Sequence, residues 1–570
     1  MMFSKLSCAV LVSCASLGLF LGTPNPFFHV PGAMLVYPAC LFLASRSRAP
    51  FRLGWCTGIP GAAAALYWIA VAAHKYGGFP WLLAAPCSIL LGAYVALWGG
   101  LFCLGASRLS VLSPWRKSVA LGLLWFLLEW TRGWFCTGFS WLTLSSGLAA
   151  WPVLLQPLSL VGEYGYSGLL AAMTFLLCEG ALLCGGGKRR NGAVFFTGGA
   201  CIAAAIVAFG AWRLSAMPEK LAVEGVPVTA TLVQGSVRQD VKWSPEYQKY
   251  TLEHYMRLSV EGVRADVDGL AGSGRGPERG ELAASMGLSL GKKPDDTLSP
   301  ALPDFLLWPE TAMPFAYPGS PLAGELRAFT RELGIPLLFG APGVEKRTGS
   351  VTELFNRAFL LLPEGDAGHY DKEHLVPFGE YLPPVLDWKI FEPLLQGLGG
   401  FTAGGGDHLF SLELEGRGRV DMGMLICYEA IFPELSRRRV AGGAALLLNI
   451  SNDAWYDYTS APMQHLQLAL MRAVEQGRYV LRATNSGITA LLDPLGGIHA
   501  MGSGKDGYAL FKPGTLTGTA LALQSHTPYF YLHPWLPGLA LAFFLALSFP
   551  ALRCGRKRGT LCARWPACTD

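Results

Sequence analysis

The sequence predicts an α-helical membrane bundle of about eight spans joined to an extracytoplasmic α/β domain. Hydrophobic residues make up 52% of the chain and charged residues only 15%, whereas an average soluble protein carries about 25% charged residues. The apolar residues are concentrated at the two ends of the chain. We therefore predict a seven-span region over 1–215, a mixed α/β domain over 216–530, and a last span with a basic cytoplasmic tail over 531–570.

Eight apolar stretches are candidate membrane-spanning helices, which need roughly 17–25 residues. The second and fifth of them are short. The eight stretches lie at 6–22, 31–45, 53–73, 81–106, 118–130, 166–184, 193–212 and 533–552. An alternative interpretation treats residues 1–22 as a cleaved signal peptide. It is less favoured, because the apolar run is short and the next span follows almost at once.

The positive charges between these stretches predict the orientation of the chain. Lysine and arginine accumulate in cytoplasmic loops. With a cytoplasmic N-terminus most of those near the spans fall on that side, and the opposite short loops hold little beyond Lys75 and Arg132. The residues on the cytoplasmic side are Lys5, Arg46, Arg48, Arg52, Arg108, Arg116, Lys117, Lys188, Arg189, Arg190, Arg553, Arg556, Lys557 and Arg558. This orientation places residues 216–530 outside the cytoplasm. The same charges form short clusters beside apolar runs and no extended basic face, so a nucleic-acid partner is not expected.

The middle region alternates between short apolar runs and helical patterns, which is typical of an α/β domain with buried sheets. Strands are predicted at Val226–Val233, Phe305–Trp308, Pro336–Gly340, Arg357–Leu362, Met422–Cys427 and Ala445–Ile450. Helices are predicted at 321–334 and 461–477. Residues 265–300 are rich in Gly, Ser, Pro and charge, and we expect a flexible surface insertion there.

Three segments carry chemically reactive side chains, and two of them do so at the end of a predicted strand. Glu310 follows the strand that ends at Trp308, and Cys427 ends another, as a strand-end nucleophile requires. Lys372 lies in a polar stretch that also contains Glu380. Cys427 is the only cysteine between 216 and 530, so it has no partner for a disulfide within that domain. Each residue alone has an ordinary structural explanation, but together they supply a carboxylate base, an ammonium group and a thiol.

The motifs around these residues resemble those of the nitrilase superfamily and, within it, the apolipoprotein N-acyltransferase family. The matching pieces are Trp308-Pro309-Glu310, Asp371-Lys372 with Leu375-Val376-Pro377-Phe378-Gly379-Glu380, Ile426-Cys427-Tyr428-Glu429, Val233-Gln234-Gly235 with Trp243, Asn449 to Trp455, Gln464-His465, and Arg482 to Gly487. The resemblance covers the whole chain and implies an α-β-β-α sandwich between the seventh and eighth spans.

The resemblance also assigns roles to individual residues. It implies that Glu310 is the general base, Lys372 the oxyanion-stabilising lysine and Cys427 the nucleophile. Glu380 is expected to be a supporting acid. The remaining candidates, which handle substrate or shape the site, are Trp243, Tyr428, Glu429 and Asn356.

The activity implied by the resemblance is the last step of bacterial lipoprotein maturation. A fatty acyl chain passes from a membrane phospholipid, through a cysteine thioester, to the α-amino group of an S-diacylglyceryl-cysteine. No cofactor or metal is expected, and the protein is expected to be a monomer in the inner membrane with its catalytic domain in the periplasm. The alternatives are a membrane-anchored nitrilase-type amidase, which would release a free acid, and a transporter, which would need ionisable residues inside its spans.

Overall fold

The computed structural model describes residues 4–273, 302–346, 352–381, 400–406, 409–502 and 507–561. The chain divides into two compact units. One comprises Met1–Ala70, Pro80–Gly210 and Tyr531–Asp570, and the other comprises Val71–Phe79 and Ala211–Phe530. The second unit therefore includes a short segment, 71–79, from within the apolar N-terminal region. Contiguous domain boundaries cannot describe this division.

The first unit consists of helices with short connections. Its helices, two of which extend into the second unit, are Lys5–Leu21, Val36–Ala44, Pro50–Ala65, Trp68–Lys75, Trp81–Arg108, Pro114–Arg132, Pro152–Leu155, Leu158–Gly185, Arg189–Glu224 and Leu536–Leu561. Single 3₁₀ turns lie at Pro31–Leu35, Leu109–Val111, Phe135–Thr137 and Ser145–Leu148. Each predicted span falls on helical structure, although 53–73 covers two helices and 31–45 begins in a 3₁₀ turn.

Apolar helices of membrane-spanning length are present, as the sequence predicts for a membrane protein. Among the described residues, three helical segments are long and apolar enough, namely Trp81–Val111, Leu158–Gly185 and Arg189–Glu224. A fourth is reached if Pro50–Ala65 and Trp68–Lys75, which meet at a bend of 56°, count as one span. The apolar helices at the first, second and last predicted spans are shorter, so helix length and composition alone do not reach eight.

Glu179 is an ionisable residue within the sixth predicted span, which is the kind of residue that a transporter would need. The carboxylate is buried and forms ion pairs with Lys117 and, at 3.6 Å, with Arg46. Both partners belong to the predicted cytoplasmic clusters. Glu179 therefore neutralises positive charge at the end of its helix, which is a structural role and gives no support to a transport pathway.

The second unit contains twelve described strands in two six-stranded sheets. The strands are β1 (Val226–Gln234), β2 (Phe305–Leu307), β3 (Leu337–Lys346), β4 (Thr352–Leu362), β5 (Gly365–Asp371), β6 (Leu409–Leu414), β7 (Gly418–Ile426), β8 (Leu446–Ser451), β9 (Val480–Thr484), β10 (Ala490–Leu492), β11 (Ile498–Ala500) and β12 (Gly514–Ala522). The order is β12-β1-β2-β3-β4-β5 in one sheet and β11-β10-β9-β8-β7-β6 in the other. The central pairs β1–β2, β2–β3, β7–β8 and β8–β9 are parallel, and the remaining pairs are antiparallel.

The two sheets share one hydrophobic core, because alternate side chains of a strand point to opposite faces. Phe305 and Leu307 of β2 pack in the same buried cluster as Met424 and Ile426 of β7. Leu306 points the other way, into a second buried cluster. That second cluster covers the outer face of the first sheet with the helices Pro245–Ser273 and Leu322–Leu333. The other helices of this unit are Gln239–Lys242, Pro433–Ala441, Ala461–Gln476 and Pro528–Leu532, with 3₁₀ turns at Cys427–Ile431 and Asp453–Tyr456.

All six predicted strands and both predicted helices of this unit are confirmed, with ends shifted by a few residues. The predicted insertion at 265–300 is covered only in part. Helix Pro245–Ser273 extends into it, and residues 274–300 lie outside the described residues, so the expected flexibility stays a prediction.

The segment 71–79 contacts the loop that follows β8. The Tyr76 hydroxyl donates a hydrogen bond to the carbonyl oxygen of Ala454 over 2.8 Å. The Tyr76 ring packs edge-on against Trp455 with centroids 5.1 Å apart, and Lys75 forms an ion pair with Asp457. Three different interactions thus fix this segment to one loop of the second unit.

Candidate active site

Cys427 lies at the point where β7 ends and a 3₁₀ turn begins. Its backbone has φ of 50°, a left-handed conformation that is uncommon for residues other than glycine. The residue is 6% exposed. Burial raises the pKa of the thiol, the nearby Glu310 raises this pKa further, and Lys372 lowers it. The thiol is therefore protonated at neutral pH and needs a base before it can attack a substrate.

Glu310, Lys372, Glu380 and Asn356 form a buried polar cluster. Lys372 Nζ donates to Glu380 Oε1 over 2.8 Å and to Glu310 Oε1 over 3.4 Å. Asn356 Nδ2 donates to the same two oxygens, over 2.7 Å to Glu310 and 2.8 Å to Glu380. The amide of Asn356 and the ammonium of Lys372 therefore bridge the two carboxylates. Asn356 Oδ1 is buried and has no hydrogen-bond partner in the described part of the chain.

The sheets explain why these four side chains meet. Asn356 lies on β4, and Lys372 directly follows β5, which is the neighbouring strand. Glu310 follows β2, whose neighbour β3 pairs with β4. Although burial alone would lower the pKa of Lys372, Glu380 and Glu310 raise it above its ordinary value. The lysine thus carries a permanent positive charge, which suits it to stabilise an oxyanion.

Glu429 fixes the turn at Cys427 to the segment that carries Lys372. Its Oε2 accepts a hydrogen bond from the backbone N–H of Ile426 over 2.6 Å. Its Oε1 accepts from the N–H of Glu373 over 2.7 Å and from the Tyr370 hydroxyl over 2.8 Å. Glu429 is fully buried. Its contacts hold the two segments together. The resemblance allows Glu429 either to handle substrate or to shape the site, and these contacts fit the second role.

Tyr428 and Trp243 occupy different environments. Tyr428 is 6% exposed and packs edge-on against Phe432 with ring centroids 5.1 Å apart. Trp243 follows the short helix Gln239–Lys242 and is 44% exposed. Trp243 is therefore outside the buried cluster, and an exposed indole can contact a substrate only at the surface of this unit.

Lys242 was not predicted from the sequence as a site residue. It precedes Trp243 in a polar stretch, which suggests exposure, yet it is fully buried and its Nζ donates to Thr311 Oγ1 over 2.9 Å. Burial lowers the pKa of Lys242 to about 7, although the Glu310 charge acts in the opposite direction. The lysine adjoins the catalytic candidates through Thr311, the residue after Glu310.

The depressed pKa of Lys242 predicts a pH-dependent effect on stability. The lysine has its ordinary pKa of 10.5 in the unfolded protein and a pKa of about 7 in the folded protein. Below pH 7 the folded protein carries the full free-energy cost of burying a charged lysine. That cost is relieved as the pH rises towards 10.5, because the folded lysine is then neutral. We expect Lys242→Met to stabilise the protein by roughly 2–4 kcal/mol below pH 7, with a gain that shrinks as the pH rises.

Thermal unfolding between pH 6 and pH 10 measures this change, with Lys249→Met as the control because the Lys249 side chain is 61% exposed. A gain for Lys242→Met that is constant across this range would contradict a buried lysine of low pKa.

Two groups in the described part of the chain combine side chains of metal-binding type, namely Cys427, Asp453 and His465, and Glu345, His369 and Asp371. In each group an arginine already pairs with a carboxylate. Arg482 donates to Asp453 Oδ2 over 2.7 Å, and Arg357 pairs with both Glu345 and Asp371. These ion pairs compensate the negative charge that a cation would need.

Comparisons with known families agree with this geometry. Residues 301–508 match the carbon-nitrogen hydrolase family, and residues 16–176 match the apolipoprotein N-acyltransferase N-terminal domain. These two matches, together with the relatives described next, show that the chain is an acyltransferase of the nitrilase superfamily.

Relatives along most of the chain identify the family. The chain is 33% identical to the apolipoprotein N-acyltransferase of Geobacter metallireducens, with 88% of this chain and 87% of the relative covered. It is 30% identical to that of Pseudomonas syringae pv. tomato, with 92% and 93% covered. The chain belongs to the apolipoprotein N-acyltransferase family, and the resemblance seen in the sequence is confirmed.

Solved structures similar to this chain include mutants of an amidase from Nesterenkonia sp. AN1. One carries the acetamide moiety of fluoroacetamide on its active-site cysteine, with a TM-score of 0.30 and 18% identity over 53% of this chain and 92% of the amidase. Another is a complex with butyramide, with a TM-score of 0.31 and 19% identity over 53% of this chain and 93% of the amidase.

Proposed function

We propose that this protein transfers a fatty acyl chain from a membrane phospholipid to the α-amino group of an S-diacylglyceryl-cysteine at the N-terminus of an apolipoprotein. The observation that carries this proposal is the cluster of Glu310, Lys372 and Glu380, in which Glu310 and Lys372 act electrostatically on the thiol of Cys427. Family membership supplies the two substrate classes, and the cluster supplies the groups that a two-step acyl transfer needs.

In the first step, Glu310 takes the proton of the Cys427 thiol and the sulfur attacks the ester carbonyl carbon of the phospholipid. The carbonyl oxygen becomes an oxyanion, which the ammonium of Lys372 stabilises. Collapse of this intermediate breaks the bond to the glycerol oxygen, and Glu310 returns the proton to that oxygen. The products are a thioester on Cys427 and a lysophospholipid.

In the second step, the α-amino group of the acceptor attacks the thioester carbonyl, and Lys372 stabilises the second oxyanion. Glu310 accepts the amine proton and delivers it to the departing sulfur, so that an amide and a free thiol remain. The unpartnered Oδ1 of Asn356 lies in the same cluster as Glu310, which suits it to accept a hydrogen bond from the incoming amine. Glu380 and Glu429 hold Lys372 and the cysteine turn, and we assign Tyr428 and Trp243 to contacts with substrate.

We further propose that eight segments cross the inner membrane, that the second unit is an α-β-β-α sandwich on the periplasmic side, and that the protein acts as a monomer. Both substrates are lipids, and removing an acyl chain from the membrane costs about 0.8 kcal/mol per CH₂. A catalytic unit held at the membrane avoids that cost. The distribution of Lys and Arg and the shared core of the two sheets support the orientation and the layering.

Intact-mass analysis tests the proposed function directly. The purified protein is incubated with a phospholipid of defined acyl chains, and we expect one acyl chain to be added and to map to Cys427 by peptide mass. Addition of a synthetic diacylglyceryl-cysteine peptide should remove the acyl group from the protein and yield the N-acylated peptide. Release of free fatty acid without N-acylated peptide would favour the amidase instead.

The proposed orientation makes a separate prediction. Reporter fusions after residues 49, 112, 188 and 557 should report a cytoplasmic location, and a fusion near 275 should report the opposite side. The reason is that most of the positive residues near the eight predicted spans lie on one side. A cytoplasmic signal at 275 would contradict the orientation and leave the chemistry untouched.

A further inference from the structure

A buried charged cluster lies behind Cys427, on the elements that follow it in the chain. Asp453 belongs to the turn after β8, His465 to the helix Ala461–Gln476, and Arg482 to β9. All three side chains are 0–1% exposed. Burying three ionisable groups costs free energy unless they are paired with one another. Their contacts therefore indicate the role of the cluster.

His465 contacts the main chain of Cys427. His465 Nε2 is 3.0 Å from the Cys427 carbonyl oxygen. Because a carbonyl oxygen can only accept, Nε2 carries the proton in this contact. The opposite ring nitrogen, Nδ1, lies 3.0 Å from Asp453 Oδ1 and 3.1 Å from Arg482 Nη2. Whether Nδ1 donates to the aspartate or accepts from the arginine, the Nε2–H donates to Cys427.

The backbone of Cys427 needs such an anchor. A non-glycine residue with φ of 50° is strained, and strained residues persist only where the surrounding structure over-determines them. Glu429 holds the residue before the cysteine through the N–H of Ile426, and His465 holds the carbonyl of the cysteine itself. The nucleophile is thus fixed on both sides.

The position of this carbonyl also determines the direction of the next N–H. The carbonyl of Cys427 and the N–H of Tyr428 belong to one planar peptide group, so anchoring one fixes the other. In α/β-hydrolases the residue after a strand-end nucleophile supplies a backbone N–H to the acyl oxyanion. A rotation of this peptide group would weaken oxyanion stabilisation in both half-reactions.

Two other roles for His465 fit the contacts less well. As general base for the thiol through Nε2, it would need a lone pair on the nitrogen that donates to the carbonyl of Cys427. As a metal ligand beside Asp453 and Cys427 it would compete with Arg482, which already pairs with Asp453.

We infer that His465, held by Asp453 and Arg482, is a positioning residue that fixes the peptide group between Cys427 and Tyr428 for both acyl-transfer steps. This inference rests on the proposed function. The inference and the proposed function are separable, because a protein with the proposed activity could tolerate loss of His465.

The test compares His465→Leu, which removes the donor at similar volume, with His465→Gln, whose amide can still donate to the Cys427 carbonyl. For His465→Leu we expect a loss of about 10- to 100-fold in the rate of thioester formation and in kcat, with KM for phospholipid close to that of the wild type. His465→Gln should recover much of this loss. Alkylation of Cys427 by iodoacetamide, which forms no oxyanion, should stay close to the wild-type rate in both variants.

Thr527→Val is the matched control, because Thr527 Oγ1 also donates a buried hydrogen bond to a backbone carbonyl, that of Glu475. It should lower the melting temperature without changing kcat. Wild-type kinetics in His465→Leu, or a His465→Gln variant as slow as the leucine variant, would overturn the positioning role. Should His465→Leu fail to fold, His465→Met takes its place. Failure of the wild-type protein to acylate Cys427 would refute the proposed function instead.

Discussion

Protein with Cys427→Ala is expected to form no acyl-enzyme and to give no N-acylated product. The thiol lies within the electrostatic reach of both Glu310 and Lys372, and alanine removes the atom to which the acyl chain is attached. Intact mass and product formation in a reconstituted assay measure the loss. Cys427→Ser is expected to be inactive as well, because a hydroxyl is far harder to deprotonate than a thiol.

The matched control for this substitution is Cys201→Ala, since Cys201 is an exposed cysteine of the other unit and should be dispensable. Conversion of diacyl- to triacyl-lipoprotein by pure Cys427→Ala protein would show that the covalent mechanism is wrong.

Glu310→Gln is expected to slow thioester formation by roughly 10²–10⁴-fold. Glutamine keeps the shape of the side chain but cannot take the thiol proton, and burial already raises the pKa of that thiol. Single-turnover acylation of Cys427 by phospholipid measures the change. Glu325→Gln, at an exposed position on the helix Leu322–Leu333, is the control.

A double variant strengthens the test of Glu310. Lys372→Met alone should cost about 10²–10³-fold through loss of oxyanion stabilisation. Because the two side chains and the thiol act as one unit, the losses should not multiply when Glu310→Gln and Lys372→Met are combined. Fully multiplicative losses would indicate that the two residues contribute independently, contrary to the mechanism.

The strands predicted from the sequence are those with apolar runs at buried positions. β2 and β8 are buried on both faces and contain such runs, which make them recognisable. The central strand β9 is buried as well but was missed, because Arg482 interrupts its apolar residues. The strands that escaped prediction are polar, short or rich in glycine. β5 is mostly exposed and β12 is half-buried along most of its length. β12 also pairs with β1, which is distant in the sequence, and no local pattern encodes that pairing.

The same distinction separates predicted site residues from those that were missed. Glu310 and Cys427 stand at or just beyond the ends of predicted strands, so a local pattern points to them. Lys372 follows β5, which was not predicted, and was identified from the motif around it. His465 belongs to a matching motif but was given no role, and Lys242 looks like an ordinary surface lysine in the sequence. Their roles depend on the carbonyl of Cys427 and the hydroxyl of Thr311, and such tertiary contacts can be known only from the fold. A different feature affects the number of spans that helix length predicts. A bend between Pro50–Ala65 and Trp68–Lys75 divides one apolar stretch into two helices.

The contact between segment 71–79 and the loop after β8 has a consequence for how the protein is made and divided. Lys75 and Asp457 are separated by 382 positions in sequence, so a ribosome completes the first partner long before the second. Three of the longest apolar helices are synthesised in the interval. A fragment that begins at residue 211 would leave the carbonyl of Ala454 without its tyrosine donor and Asp457 without its lysine. The shortest stretch of sequence that contains the whole catalytic unit therefore includes most of the apolar helices, and no single cut can release the enzyme from its membrane-type region.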